Sequence, residues 1–359
     1  MNDDVLELIK PEVLALEGYS VAMPPHTIKL NQNESPWDLP DAIKEAFLER
    51  LRSATWSRYP SQVPKELHAE LRKALKLPPG IDILVGNGSN ELIQTLLMAA
   101  VERGTNVVIP VPTFALYRLI ATVLGASVVG VPLKEDLTFD TERILEAAKR
   151  SSAKVVVLCR PNNPTGTAIP VDGVKRLASE TNALVVVDEA YHDFADDNVL
   201  PLLFDHENLV ILRTFSKALR AAGLRIGYLL GHAPLVTQVA KALVPFNVSI
   251  AAKEAALAIL RNRELLGEGI QMIIERREAL FQELAAIKGI TPFPSQANFI
   301  CFRTKVAAQA LFDALLERGI LVRNVSHYPI LSNCLRVSVG TDKENRAFVN
   351  ALKAIMEET

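Results

Sequence analysis

Residues 153–191, AKVVVLCRPNNPTGTAIPVDGVKRLASETNALVVVDEAY, hold two apolar runs joined by a loop and a helix-like segment. The runs, VVVLC and LVVV, do not alternate with polar residues. Unbroken Val and Leu of this kind fit strands buried on both faces of a parallel sheet, with helices packed on each side. Each run stops at a polar group, RPNN after the first and Asp188 after the second. In open α/β sheets ligands gather at such strand ends.

The same alternation extends outward. TNVVIP, TFALYRLIATVLG, ASVVGVPL and DTERILEAAKR precede the stretch, and ENLVILRTFS and LRIGYLLG follow it. From about Ala251 the pattern changes. A long helical stretch over 251–287 leads to QANFICFR, AAQALFDALLERG, ILVRNV, CLRVSVG and a closing helix, DKENRAFVNALKAIMEE. We expect a large α/β domain over 46–250 and a smaller α+β domain over 251–359. Residues 1–45, irregular and rich in proline, are expected to pack with the small domain or a partner subunit.

Composition narrows the function. The net charge of −2 offers no electrostatic reason to bind nucleic acid or an anionic membrane. No apolar run reaches the ~20 residues of a membrane span, and the acidic start MNDDVLELIK does not look like a secretory signal. The three cysteines, Cys159, Cys301 and Cys334, form no paired motif and read as core residues of a cytoplasmic protein. The six histidines have no metal-ligand spacing, so no metal is expected.

Four motifs carry chemistry. DILVGNGSNELIQTLL (82–97) is a strand, a glycine-rich turn and a helix starting near Ser89. It is either a plain turn with a cap or a phosphate site built from free N–H groups. It is neither a dinucleotide fingerprint, since Glu91 stands at the third glycine position, nor a Walker A loop. In RPNNPTG (160–166) an asparagine amide at a strand end can bond a ring substituent; the alternative is a turn-builder. In VVVDEAYHDF, Asp188 is a helix cap or a buried carboxylate that needs a cationic nitrogen, with Tyr191 beside it. In TFSKALRAAGLRIGY (214–228), Lys217 suits a carbonyl ligand with which its amine can condense, while Thr214, Ser216 and Arg225 suit a phosphate. A condensing lysine, an aspartate for a pyridinium nitrogen and a phosphate cup together describe pyridoxal phosphate.

With these motifs in hand, nearly the whole chain resembles the fold type I pyridoxal-phosphate aminotransferases of class I/II. Within them it is similar to the histidinol-phosphate aminotransferases, through PEVLALEGY, IKLNQNESPW, SRYPSQVPKELHAELRKAL, GNGSNELI, VPTFALYR and CLRVSVGT as well. The resemblance implies a mostly parallel seven-stranded sheet and a smaller α+β domain. It implies transamination between L-histidinol phosphate and 2-oxoglutarate, a step of histidine biosynthesis, in a cytoplasmic homodimer with shared sites. Lys217, Asp188 and Tyr191 would be catalytic. Asp188 would pair with the ring nitrogen, Asn163 and Tyr191 would bond the ring oxygen, and Phe114 would stack on the ring. Gly88, Ser89, Asn90, Thr214, Ser216 and Arg225 would hold the phosphate, joined by Tyr59 from the neighbouring subunit. Tyr19, Asn33, Asn163, Arg323 and Arg336 would meet the substrate. Two positions depart from the subfamily pattern: Asn90 stands where an acid is usual, and NESPW replaces a NENPY-type run, bringing in Trp37. An aromatic amino-acid aminotransferase and a phosphothreonine decarboxylase share this framework, and a non-catalytic regulator would need a nucleic-acid-binding segment that is not seen.

Overall fold

The computed structural model describes residues 3–18 and 22–358. Its strands are β1 (Ile28–Lys29), β2 (Ile81–Gly86), β3 (Asn106–Val111), β4 (Ser127–Pro132), β5 (Val155–Cys159), β6 (Leu184–Asp188) and β7 (Leu209–Thr214). They continue with β8 (Gly227–His232), β9 (Ile290–Pro292), β10 (Phe299–Thr304), β11 (Ile320–Leu321), β12 (Arg323–Asn324) and β13 (Cys334–Ser338).

Seven strands form the large sheet, in the order β2–β8–β7–β6–β5–β3–β4. Pairing from β4 through to β7 is parallel, and β8 runs antiparallel to both β7 and β2. This is the mostly parallel α/β sheet expected from the Val and Leu runs. Their lack of alternation has a simple origin. Val156 and Leu158 of β5, Val185 and Val187 of β6 and Ile211 of β7 enter the core on one face. Val155, Val157, Val186, Val210 and Leu212 enter a separate core on the other. Each such side chain contributes about 1.5–3 kcal/mol on full burial.

A second, antiparallel sheet has the order β12–β13–β10–β9. Ile300, Phe302, Leu335 and Val337 pack there with Leu280, Leu284, Leu311, Phe348 and Leu352 from three helices. β1 pairs in parallel with β11 in a separate two-stranded sheet, which ties residues 28–29 to the chain just before β12.

The stretch 251–287 is two helices, Ile250–Arg261 and Glu264–Ala285, where its composition pointed to one. The break is at Asn262, whose side chain donates to the Ala258 carbonyl (2.8 Å) while its backbone leaves the helical region at φ −123°. An asparagine that bonds local backbone offers the chain an alternative to helix. The first of these helices packs into the large-sheet core through Ala256 and Leu257. Among the described residues no helix is long and apolar enough to cross a membrane.

Candidate active site

The carboxyl ends of β5, β6 and β7, the start of the helix Ser89–Ala100 and the small sheet surround a cavity of about 270 Å³. Ser89, Asn90, Phe114, Asn163, Asp188, Tyr191, Thr214, Ser216, Lys217, Arg225, Asn33, Arg323 and Arg336 all line it. These are most of the residues singled out by their motifs. Gly88 lies just behind, at the cap of the helix. Tyr59 is outside, 83% exposed and stacked on Phe246 with centroids 4.9 Å apart. Tyr19 falls outside the described residues.

One end of the cavity is a cradle for an anion. The helix Ser89–Ala100 begins after Gly88 with no side-chain cap, so its first N–H groups remain available. Thr214 Oγ1 donates to Ser216 Oγ (3.0 Å), and Arg225 Nη1 donates to the same oxygen (3.2 Å). Close approach explains the glycines. A Cβ on Gly88, itself at φ +80°, would stand 2.4 Å from Arg225 Nη2, and one on Gly227 would stand 2.6 Å from the Ser89 nitrogen.

At the floor, Asp188 is 5% exposed. Its Oδ2 accepts from Tyr117 Oη (2.7 Å) and its Oδ1 from the Ala190 nitrogen (3.1 Å). Burial pushes its carboxyl up to about 6, against the pull of those two donors. The neighbouring Glu189 is a different case. It is fully buried, its Oε2 accepting from both Nε (3.0 Å) and Nη2 (2.8 Å) of Arg213 on β7 and its Oε1 from the Val199 nitrogen (2.8 Å).

Lys217 follows the end of β7 and turns its amine into the cavity, 3.0 Å from the Gln32 carbonyl. Burial, helped by the charges of Arg336 and Arg225, pulls it down to about 8. An appreciable share of the amine is therefore neutral near neutral pH and able to act as nucleophile or base.

The loop after β5 divides its two asparagines. Asn162 accepts from Thr113 (2.6 Å) and donates to the Pro112 carbonyl (2.9 Å), so it holds two loops together. Asn163 faces the cavity and accepts from Arg336. Asn33 donates to Tyr191 Oη (3.0 Å). Arg336 also donates to the Asn31 carbonyl (2.6 Å) and lies over the Phe299 ring. Arg323 and Arg336 are direct cross-strand partners on β12 and β13, and both line the cavity. Like charges placed opposite each other repel, and an anion between them relieves that cost.

Motif reading missed Tyr117, Gln32 and Asn31. Tyr117 sits in an apolar helical run that reads as core, and the other two contribute through backbone oxygens, which leave no trace in side-chain chemistry.

The family model for aminotransferase class I and II matches residues 25–352. The chain belongs to the class I and II aminotransferases. It is 41% identical to a histidinol-phosphate aminotransferase of Chlorobium phaeovibrioides over 99% of both chains. Among solved structures it is similar to the histidinol-phosphate aminotransferase of Sinorhizobium meliloti in complex with pyridoxal-5'-phosphate, at 27% identity, a TM-score of 0.87 and 98% coverage of both chains. An L-threonine-O-3-phosphate decarboxylase of Porphyromonas gingivalis matches at 25% identity and a TM-score of 0.80, over 92% of this chain and 100% of its own. In this family member the donor set fits a cofactor with a phosphate, a basic ring nitrogen and an aldehyde. Gly88 and Gly227, lacking side chains, let Arg225 and the Ser89 nitrogen close in at the cradle, a buried carboxylate lies at the floor, and a partly neutral lysine lines the same cavity.

Proposed function

We propose that the chain is a pyridoxal-phosphate-dependent aminotransferase that moves the amino group of L-histidinol phosphate to 2-oxoglutarate, giving imidazole-acetol phosphate and L-glutamate in histidine biosynthesis. The observation that carries this reading is the cross-strand pair Arg323 and Arg336, two guanidinium-bearing residues of the small sheet that both line the cavity. One fork satisfies a carboxylate; a phosphate has oxygens for both. The full-length likeness to histidinol-phosphate aminotransferases supports the same substrate.

In this reading Ser89, Asn90, Thr214, Ser216 and Arg225 hold the cofactor's phosphate, with Gly88 leaving room. Phe114 packs on its ring, and Asn163 and Tyr191 meet the ring oxygen. When bound, pyridoxal phosphate would supply an aldehyde that exchanges for the substrate amine and a cationic ring that draws electrons from the breaking bond. Asp188 keeps a proton on the ring nitrogen by placing a carboxylate against it. Lys217 Nζ, freed by the incoming amine, takes the proton from the substrate's α-carbon and holds it inside the cavity for return. Arg336 orients the glutamate carboxylate, and Arg323 adds its charge for the phosphate tail, with Asn33 also lining the cavity.

The reading includes a homodimer in the cytoplasm. The exposure of Tyr59, Trp56 (70%) and Val244 (68%) supports a subunit contact in which Tyr59 reaches the partner's phosphate cradle. The division into 1–45, 46–250 and 251–359 belongs to the same proposal, supported by separate cores around the two sheets. Phosphothreonine decarboxylation is the second reading, favoured by the Porphyromonas gingivalis likeness. The test is glutamate production from 2-oxoglutarate with histidinol phosphate, phenylalanine, tyrosine and phosphothreonine. Histidinol phosphate should lead by at least tenfold. Preference for an aromatic amino acid, or carbon dioxide release from phosphothreonine, overturns the assignment.

A further inference from the structure

Tyr117 is 1% exposed and lies on the helix Ala115–Val123, among the apolar side chains of one sheet face. A phenylalanine would fill that space. The hydroxyl, carried into a core where an unbonded polar group is costly, ends 2.7 Å from Asp188 Oδ2. The same ring packs edge-on against Phe114, centroids 5.6 Å apart. Tyr117 thus touches both the carboxylate at the cavity floor and the aromatic ring at its side.

We infer that Tyr117 is a positioning residue for the reaction: its hydroxyl, by donating to Asp188, sets how firmly the cofactor's ring nitrogen is kept protonated. The inference rests on the pyridoxal-phosphate reading above. The groups facing Asp188 are Tyr117, Cys159, Glu189, Tyr191 and Lys217. Glu189 is committed to Arg213 (2.8 Å). Burial pushes the Cys159 thiol up to about 12, so it adds no charge. Tyr191 accepts from Asn33 at 3.0 Å. The Lys217 amine donates to the Gln32 carbonyl at 3.0 Å. Tyr117 is then the one side chain, among the described residues, that donates a hydrogen bond to this carboxylate. Burial and the charge of Asp188 drive its own hydroxyl well above the usual tyrosine range, so it remains a donor at every working pH. A donor fixed on Oδ2 favours the ionised carboxylate and holds its plane.

The test uses holoenzyme reconstituted with pyridoxal phosphate carrying ¹⁵N in its ring. Tyr117→Phe removes the donor and keeps the ring packing. The ¹⁵N resonance should move toward that of unprotonated pyridine, and turnover should fall about tenfold, the usual order for one hydrogen bond to a charged group. Cofactor affinity should fall less than turnover. In an Asp188→Asn background the same change should alter turnover by less than about twofold, because both act through one group. Tyr117→3-fluorotyrosine, a stronger donor of nearly the same shape, should move the resonance the opposite way, and it decides the matter if the Phe variant does not fold. A resonance unchanged in the folded variants, or full additivity with Asp188→Asn, overturns the inference. If the unaltered protein shows no bound ring-nitrogen resonance, the cofactor reading itself fails and this inference with it.

Discussion

Lys217 Nζ lies 3.0 Å from the carbonyl oxygen of Gln32, a residue 185 positions earlier in the chain. The lysine is thereby steered by the segment that leaves β1, while the residue next to that carbonyl, Asn31, takes a hydrogen bond from Arg336 (2.6 Å). One short, irregular stretch thus touches both the proposed base and the proposed carboxylate anchor.

Lys217→Ala should abolish the covalent bond to the cofactor but leave the phosphate cradle intact. Pyridoxal phosphate should still bind, without borohydride-stable attachment, and transamination should fall by orders of magnitude. Activity assay and mass spectrometry after reduction check this; normal turnover would remove Lys217 from its role.

The lowered lysine also sets a pH dependence. Reconstitution of cofactor-free protein should speed up as pH rises through about 8, because the amine must be neutral to condense. Arg336→Ala removes a positive charge that depresses this group, so its midpoint should move upward. Stopped-flow absorbance across pH 6–10 reads both; a midpoint near that of a free lysine, about 10.4, contradicts the burial argument.

Asp188 gives a signed prediction for stability. Its carboxyl is raised from 3.8 to about 6 in the folded chain by burial. The folded protein therefore binds the proton more tightly than the unfolded chain. The stability associated with this group is fully present below about pH 4 and is lost as pH rises through about 6, a change of order 3 kcal/mol for two pKa units. Asp188→Asn should gain stability relative to the unaltered protein over that interval. Paired urea titrations at pH 4 and 7 test it, and a constant difference would show that Asp188 is not strained. With cofactor bound the same variant should lose rate more than affinity.

Tyr59 is solvent-facing and does not line its own chain's cavity. Mixing an inactive Lys217→Ala chain with an inactive Tyr59→Ala chain should restore part of the activity, since one of the two sites in the heterodimer is then complete. No recovery after verified subunit exchange would leave Tyr59 without a role in trans.

Much of this was legible from residue order. Strand runs such as VVVLC and LVVV stand out because both of their faces are buried, and Asn163, Asp188 and Lys217 stand out because polar groups end or closely follow such runs. Tyr117 was invisible because one hydroxyl does not disturb an apolar helical pattern. The part played by Gln32 and Asn31 rests on backbone oxygens. The facing of Arg323 and Arg336 depends on the register of β12 and β13, which neither short run specifies alone. The helix break at Asn262 was hidden by strong helix formers on both sides.

Two arginines that line the cavity from the small sheet are proposed to serve two amino-group donors with different tails. Single-turnover reactions of holoenzyme, with histidinol phosphate or glutamate as the only amine, measure each half separately through the loss of the cofactor's aldehyde-form absorbance. Arg336→Lys should slow both halves. Arg323→Ala should slow the histidinol-phosphate half by roughly ten- to a hundredfold, the range for a lost charged hydrogen bond of about 1.5–3 kcal/mol, and slow glutamate much less. Equal slowing of the two halves by Arg323→Ala, or no effect on either, contradicts the account.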